Sequence, residues 1–312
     1  MLHGSDYWYF LFHFYREPIY PAQTMPMGYR SFALTRVGAR LFFNAEAPGL
    51  GYGLWTSDGT AEGTRFASRL NSTDLSPEYW DLTAMNDMTL LFIARTGRLN
   101  YGIYRSDGTE AGTQLVKDIS YQGDSGALRL YPPVSGLAAI GGYVYFHDGL
   151  TLMQTDGTPA GTGTITQFLP GPVSGIGGQA YFLSLSQPYG FDLARVGSYM
   201  NDTVVATVAP TLYLSGSEGH LAPVGARLFI AVNGTGGHAE LWVSDGTLAG
   251  TLPVLALRGR LFGQSDGVVG ERPAGAFGAR LVFLADDGVH GGEPWVSDGT
   301  PAGTFLLKDI NP

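Results

Sequence analysis

The sequence predicts an all-β protein built from six similar units, each a four-stranded antiparallel sheet. Three observations predict it: a short motif ending in Asp-Gly-Thr recurs along the chain, an apolar strand-like motif precedes each copy, and no segment between them has the period of a helix. A single four-stranded sheet of ~45 residues cannot cover both of its own faces. The units are therefore expected to stack on one another.

Five copies of the Asp-Gly-Thr motif are complete, and each is followed at a fixed distance by Gly-Thr. The interval between the fourth and fifth of these copies resembles the others, but that between the third and fourth is almost twice as long. It contains a degenerate copy at residues 193–198, which keeps Gly197 and lacks the aspartate. The count is therefore six units. The five glycines of Asp-Gly are Gly59, Gly108, Gly157, Gly246 and Gly299.

A second motif of three apolar residues lies upstream of each copy, in all six units including the degenerate fourth. Its copies lie at residues 41–43, 90–92, 144–146, 180–182, 228–230 and 281–283. A turn with glycine precedes most of them, at Gly38, Gly142, Gly178, Gly225 and Gly278, whereas the second unit has Asn86 and Asp87. Turns of this composition predict hairpins between antiparallel strands.

The first unit predicts four strands, near residues 32–37, 40–45, 53–57 and 64–69, which are rich in β-branched and aromatic residues. Radial stacking of six such sheets gives a six-bladed β-propeller. A straight stack would have atypical repeats at both ends, whereas the last unit is among the best copies, which favours closure. The predicted propeller spans residues 31–312, with units at about residues 31–70, 79–120, 133–168, 173–209, 221–258 and 274–310.

The repeated aspartates are predicted to have a structural role in turns. The glycine supplies the positive φ of a tight turn between the third and fourth strands, and the carboxylate accepts hydrogen bonds from the backbone amides that follow it. The alternative role is calcium binding, but a calcium loop needs several oxygens from one segment, and each copy offers one carboxylate. The five residues are Asp58, Asp107, Asp156, Asp245 and Asp298.

These motifs resemble the bacterial ELWxxDGT repeat proteins, whose units read Glu-Leu-Trp-x-x-Asp-Gly-Thr, then Gly-Thr and a Leu-Val-Lys-Asp-Ile tail. Residues 240–247 match the core completely, and the tail is clear at residues 114–119 and 305–310. The resemblance covers about residues 31–310 and implies a propeller-like architecture, usually in exported bacterial proteins. It brings no catalytic residues. The fourth unit and the N-terminal segment depart from the family pattern.

Composition excludes several classes of function. The net charge is -9 and only Lys117 and Lys308 are lysine, so no basic surface for nucleic acid is expected. The chain has no cysteine, which excludes thiolate chemistry and disulfides, and no apolar stretch long enough for a spanning helix. No histidine pair has metal-ligand spacing, so neither a metal nor another cofactor is expected, although a zinc site assembled across units stays open.

Few residues are candidates for catalysis. Asp286 and Asp287 are adjacent carboxylates, and Glu218 lies close to His220; all are expected in turns, where acidic residues are common. A carboxylate pair at a propeller channel is the alternative interpretation. Ser125 lies in a Gly-Asp-Ser-Gly segment that resembles the surroundings of a serine nucleophile, but no matching histidine context accompanies it. No catalytic residue is therefore assigned, and the protein is expected not to be an enzyme.

The N-terminal segment, residues 1–30, lies outside the six units and carries seven aromatic residues within nine. One interpretation is a further strand that helps to close the ring or lies against a sheet edge. The other is an arm that docks on a partner, because aromatic residues are favoured as interface anchors and at membrane surfaces. The candidate docking residues are Tyr7, Trp8, Tyr9, Phe10, Phe12, Phe14 and Tyr15.

The expected function is that of a non-catalytic accessory subunit that docks on other protein subunits of a larger bacterial, membrane-associated complex. A photosynthetic reaction centre with its antenna is one example of such a complex. Only 14% of the residues are charged, which suits a surface covered by other subunits. The expected location is extracytoplasmic, periplasmic or at the cell surface, and peripheral to the membrane. The alternatives are a carbohydrate-binding, lectin-like propeller and an enzyme with its site in the central channel.

Overall fold

The computed structural model describes residues 34–47, 51–69, 78–95, 101–119, 134–148, 151–166, 171–185, 190–197, 202–209, 218–234, 237–262 and 274–310. Their strands form six antiparallel sheets, three within Pro21–Gln167 and three within Phe168–Pro312, which are two compact units. The predicted aromatic docking residues 7–15 lie outside the described residues. No helix among the described residues is long and apolar enough to cross a membrane.

The unit Pro21–Gln167 contains three four-stranded sheets whose strands follow one another in chain order. Sheet 1 consists of β1 (Leu34–Val37), β2 (Arg40–Ala47), β3 (Gly51–Ser57) and β4 (Arg65–Ser68). Sheet 2 consists of β5 (Glu78–Ala84), β6 (Leu90–Arg95), β7 (Tyr101–Ser106) and β8 (Gln114–Asp118). Sheet 3 consists of β9 (Val134–Ile140), β10 (Tyr143–Asp148), β11 (Thr151–Thr155) and β12 (Gly163–Thr166).

The unit Phe168–Pro312 contains the other three sheets. Sheet 4 consists of β13 (Val173–Ile176), β14 (Gln179–Leu185), β15 (Phe191–Arg195) and β16 (Thr203–Val208). Sheet 5 consists of β17 (Glu218–Val224), β18 (Arg227–Asn233), β19 (His238–Ser244) and β20 (Leu252–Arg258). Sheet 6 consists of β21 (Arg260–Leu261), β22 (Ala274–Phe277), β23 (Arg280–Asp286), β24 (Gly292–Ser297) and β25 (Phe305–Leu306).

The predicted all-β fold of four-stranded antiparallel sheets is confirmed, and the arrangement is propeller-like. In sheet 1 the strands begin and end within two residues of their predicted bounds. Sheet 6 differs from the prediction because it has a fifth strand: the two-residue β21 pairs with β23 beside β22. The side chain of Asn233 holds β21 in place, since its amide group both donates to and accepts from the backbone of Leu261, at 2.8 Å in each case.

Neighbouring sheets within a unit pack face to face by one rule. In the apolar motif of the second strand, the middle residue points toward the following sheet, and the first and third point toward the preceding sheet. Phe42 of sheet 1 thus packs with Phe92 of sheet 2, and Phe229 of sheet 5 packs with Leu281 and Phe283 of sheet 6. We call the side that carries the middle residue the forward face and the opposite side the backward face.

The same rule holds at the two other described interfaces, where Leu91 of sheet 2 meets Phe146 of sheet 3 and Tyr181 of sheet 4 meets Ile230 of sheet 5. All of these side chains are buried. Two features of the sequence therefore have separate uses. A run of apolar residues in the second strand makes both faces of a sheet apolar, because successive side chains point to opposite faces, and the repetition of the motif supplies the next sheet that covers them.

Candidate functional site

Each Asp-Gly-Thr turn is closed by hydrogen bonds within itself, as the turn of sheet 5 shows. The Oδ1 atom of Asp245 accepts from the backbone N and the Oγ1 of Thr247, at 2.9 and 2.7 Å. The Oγ1 of Thr247 then accepts from the N of Gly250 at 3.0 Å, and its carbonyl accepts from the Oγ1 of Thr251 at 2.7 Å. The Oγ of Ser244 lies 2.8 Å from the Oγ1 of Thr251. Five residues thus form one network.

The other four complete turns repeat these bonds. The Oδ1 of the aspartate accepts from the threonine hydroxyl at 2.7 Å in each of them, at Asp58, Asp107, Asp156 and Asp298. The glycine after each aspartate has positive φ, between 84° and 95°. A residue with a Cβ atom is strained in that region, so the Asp-Gly pair follows from the backbone of the turn.

The second glycine of each motif, in the Gly-Thr that follows, is required for a different reason, which is steric. A Cβ atom on Gly250 would lie 2.1 Å from the Oδ1 of Asp245, well inside contact distance. The same clash with the local aspartate recurs at Gly63, Gly112, Gly161 and Gly303. The Gly-Thr that follows each motif is therefore needed because the aspartate side chain occupies the space of a Cβ atom. The sequence shows this Gly-Thr at a fixed distance from each motif but gives no sign of this contact.

A carboxylate also lies at the degenerate turn of sheet 4, but its hydrogen bond differs from those of the complete turns. The backbone N of Gly197 donates to the Oδ1 of Asp202 at 3.1 Å. Asp202 follows the glycine in sequence, whereas the aspartates of the complete turns precede theirs. Burial raises the pKa of Asp202. Alignment of the repeats does not reveal this contact.

The threonine hydroxyl lowers the pKa of the aspartate in every complete turn, with a further contribution from the threonine backbone N–H. Both groups donate to the ionised carboxylate, so they favour the charged form. A carboxyl group whose pKa is lower in the folded than in the unfolded state stabilises the fold above its unfolded pKa, and that contribution disappears as the pH falls through the folded pKa. The turns therefore make the fold acid-sensitive.

We expect the free energy of unfolding to decrease as the pH falls from about 5 to about 2, the range in which such carboxylates become protonated. Asp245→Asn keeps an oxygen that can accept the hydrogen bonds but cannot titrate, so its unfolding free energy should vary less over this range. Urea denaturation at several pH values measures the effect. Asp87→Asn, outside the repeated turns, is the control, and an equal change in both variants would contradict the prediction.

The turns of sheets 2, 3, 5 and 6 also contact the preceding sheet of their compact unit. The Nη1 of Arg40, at the start of β2, donates to the carbonyl of Asp107 at 3.0 Å. Arg227, at the start of β18, makes the same bond to the carbonyl of Asp298. We call this bond the latch. It joins the beginning of the second strand of one sheet to the Asp-Gly-Thr turn of the next.

At the two remaining interfaces a side chain from another position of the preceding sheet contacts the turn: Arg105 lies in β7, and Tyr181 is the third residue of β14. The Nη1 of Arg105 in sheet 2 lies 3.5 Å from the carbonyl of Gly157 in sheet 3. The ring of Tyr181 in sheet 4 lies so close to Gly246 in sheet 5 that a Cβ atom there would be 2.2 Å from the hydroxyl oxygen. At all four interfaces the glycine of the Asp-Gly pair is therefore in contact with the sheet before it, and the repeated turns connect the sheets.

The acidic pair at residues 286–287 lies where β23 ends: Asp286 is the last residue of the strand, and Asp287 begins the loop to β24. Asp287 accepts from the backbone N of His290 at 2.9 Å, and its Oδ2 lies 2.7 Å from the Nδ1 of His290. The backbone and imidazole of His290 together lower the pKa of Asp287 to about 2. Asp286 accepts from the backbone N of Gly288 at 2.7 Å. Both carboxylates thus bond within their own loop, and neither faces the other across a cleft.

The remaining catalytic candidates do not form a cluster among the described residues. His220 lies in β17 with its ring centroid 5.9 Å from that of Phe262, and burial lowers its pKa. Glu218 begins the same strand two residues earlier. Ser125 lies outside the described residues. The described part of the chain contains no group of three histidine, cysteine, aspartate or glutamate residues that could hold a metal ion.

The repeated tryptophans are used in packing. Trp295 is buried in the core between sheets 5 and 6, and Trp242 packs against the core between sheets 4 and 5. The Nε1 of Trp55 donates to the carbonyl of Ala45, and its ring meets the edge of Phe66 at 5.6 Å. Sugar binding needs exposed indole faces, so these contacts do not favour the lectin-like alternative.

The fold and the turns define a propeller-like repeat protein. No protein-family model and no curated protein sequence matches the chain. Among solved structures it is similar to a prolyl endopeptidase, with a TM-score of 0.52 and 11% identity over 88% of this chain and 42% of that one. A puromycin-hydrolyzing peptidase from Mycobacterium tuberculosis is similar with a TM-score of 0.51 and 14% identity, over 91% of this chain and 45% of that one. Oligopeptidase B from Leishmania major is similar with a TM-score of 0.51 and 12% identity, over 88% of this chain and 40% of that one.

The chain spans less than half the length of each of these peptidases. At this level of identity the likeness concerns the fold alone, because one fold can carry many unrelated functions.

Proposed function

We propose that the protein is a non-catalytic scaffold: a six-bladed propeller that docks on and stabilises a larger bacterial, membrane-associated complex outside the cytoplasm. One observation carries the proposal: the side chains that recur from unit to unit bond within the turns or pack between the sheets. Asp245 and Thr247 bond to each other, and Arg227 bonds to the next turn. Repetition of this kind supports cohesion of a rigid body rather than one reactive centre.

Closure of the six sheets into one ring is part of this proposal. The last complete turn, at Asp298, has the same network as the other complete turns, and its sheet has four strands in chain order, β22 to β25, in addition to β21. The resemblance to the ELWxxDGT repeat proteins also supports a propeller in an exported bacterial protein.

Docking is assigned to the N-terminal arm in this proposal. Seven aromatic residues within nine supply large apolar anchors of the kind that dominate the binding energy of interfaces. The low content of charged residues, 14%, fits a protein whose surface is partly covered by other subunits. Steric and adhesive contact with the partner is the whole mechanism, and no cofactor takes part.

Deletion of residues 1–30 is expected to leave the sheets folded and to release the protein from its complex. The measurement is co-purification from the native host, with far-ultraviolet circular dichroism and thermal melting of the purified protein as the test of folding. A full-length variant with serine at the seven aromatic positions of residues 7–15 separates loss of the rings from loss of length. Continued association of both variants with the same subunits would contradict the docking role, and turnover of a substrate by the purified protein would contradict the scaffold.

A further inference from the structure

The hairpin between the first two long strands of a sheet is longer in sheet 2 than in the other sheets. In the other five, two residues separate the paired ends of these strands, as residues 38–39 do in sheet 1. In sheet 2 the backbone N of Met85 donates to the carbonyl of Thr89, so the loop contains three residues, 86–88. This loop is one of two departures from the repeat that meet where sheet 1 packs against sheet 2.

The second departure is Arg36 in β1. It pairs with the first residue of the apolar motif in β2, and the other five sheets have alanine, glycine or proline at this place. These residues are Ala84, Ala139, Gly175, Pro223 and Ala276. Five sheets pack without a charged side chain here, so the packing of the repeat does not explain Arg36.

The longer loop of sheet 2 reaches back to the hairpin of sheet 1. A Cβ atom on Gly38, whose φ is 57°, would lie 2.3 Å from the carbonyl oxygen of Asp87. The corresponding glycines Gly177 and Gly225 meet nothing within 4 Å, although another sheet follows theirs in the same unit. The side chain of Asn86 holds the loop in shape, because its Oδ1 accepts from two of the backbone amides that follow it, at 2.9 and 3.0 Å.

An open cleft of about 660 Å³ lies between these two hairpins, and we call it the hairpin cleft. Its lining residues are Arg36, Gly38, Ala39, Ala84, Asn86 and Asp87. All of them belong to the unit Pro21–Gln167. The volume is within the range of sites that bind small molecules. Because the lining side chains are charged, amide or no larger than a methyl group, the cleft favours a polar occupant.

Two opposite charges line the hairpin cleft without pairing with each other. The Nε of Arg36 donates to the carbonyl of Gly38 at 2.8 Å, which orients the guanidinium group and leaves both Nη atoms without a partner among the described residues. The carboxylate of Asp87 has no hydrogen bond or ion pair in the described part of the chain either, and both side chains are exposed. An oriented guanidinium group suits a bidentate contact with a carboxylate.

We propose that the hairpin cleft binds a small zwitterion of the amino-acid type. Its carboxylate accepts from the Nη atoms of Arg36, and its ammonium group donates to the carboxylate of Asp87. The two unpaired charges select this class, because a simple anion is repelled by Asp87 and a simple cation by Arg36. Binding requires no chemical step, so this site adds a ligand to the proposed scaffold and does not depend on the partner complex.

Saturation-transfer difference NMR on the unaltered full-length protein tests the class of ligand. The probe is an equimolar mixture of the common amino acids at millimolar concentration. The amino acid with the strongest signal is then compared with its decarboxylated amine and with its deaminated acid. We expect each analogue to bind about tenfold more weakly or worse, because it lacks one charge-assisted contact. Absence of signal from every amino acid, or equal binding of either analogue, would overturn the proposal.

Three single substitutions then test the position of the site with the same amino acid. Arg36→Gln and Asp87→Asn should each weaken binding about tenfold or more, because each removes one of the two charges. The matched control is Arg65→Gln, which removes an exposed arginine from β4 of sheet 1 and should leave binding unchanged. Circular dichroism verifies the fold of each variant. Unchanged binding in Arg36→Gln, or the same loss in Arg65→Gln, would contradict the assignment to the hairpin cleft.

Discussion

Phe229→Ala is expected to lower the free energy of unfolding by about 3–5 kcal/mol, the usual cost of removing a buried aromatic ring from a core. Phe229 is 1% exposed and lies in the cluster that joins sheet 5 to sheet 6. The substitution removes apolar contact with Phe283 and leaves a cavity between two sheets that strand hydrogen bonds hold in shape, so the site can collapse little. Urea denaturation followed by tryptophan fluorescence and circular dichroism measures the loss.

The control for this prediction is Leu248→Ala, in the turn of the same sheet. Leu248 is exposed, so its truncation should change the unfolding free energy by less than about 0.5 kcal/mol. Equal effects of the two substitutions would show that the sheets are not held together through the forward face of sheet 5. A cost for Phe229→Ala below about 1 kcal/mol would have the same meaning, because it is less than the transfer free energy of the ring.

Gly250→Ala is expected to lower the free energy of unfolding by about 1–3 kcal/mol, because it displaces the carboxylate of Asp245 from its two hydrogen bonds. The added Cβ atom would lie 2.1 Å from the Oδ1 of that residue. Either the aspartate leaves Thr247 or the turn opens. Gly163→Ala is the matched control, since its Cβ atom meets nothing within 4 Å.

A double-mutant cycle identifies the cause of the Gly250→Ala effect. When Asp245 is replaced by alanine, a Cβ atom at position 250 no longer meets a carboxylate. Gly250→Ala should then lower the free energy of unfolding much less than in the natural protein, and the effects of the two substitutions should not be additive. Additive effects would mean that the glycine is needed for another reason, such as the flexibility of the backbone. Loss of the same stability in Gly163→Ala would point to a general cost of replacing glycine in these sheets.

Much of the fold could be predicted because it depends on neighbours in sequence. The turn at Asp58 and Gly59 could be predicted from local chemistry. The glycine adopts positive φ, and the carboxylate accepts a hydrogen bond from the backbone amide of Thr60. Strand bounds in sheet 1 were therefore accurate. The fifth strand of sheet 6 was missed because β21 has only two residues, held by Asn233 from another sheet. No local pattern predicts such a contact.

The candidate site could likewise be predicted only in part from the sequence. The aspartates were found from their spacing, but the contact of Gly250 with Asp245 and the hydrogen bond from Gly197 to Asp202 were not. Both depend on how the chain returns after the turn. Arg40 and Arg227 were not singled out either, because an arginine in a repeat gives no sign that it bonds to a backbone carbonyl of another sheet.

The sequence by itself determined the number of repeats, the strand class and the turns, because these follow from short runs of apolar residues and from conformations that only glycine adopts without strain. Tertiary structure alone decided which face of each sheet meets the next and which side chain bonds to which turn. Those choices depend on residues such as Arg227 and Asp298, which are 71 positions apart in the chain. Contacts at such separation are set by the packing of whole sheets, and no local preference encodes them.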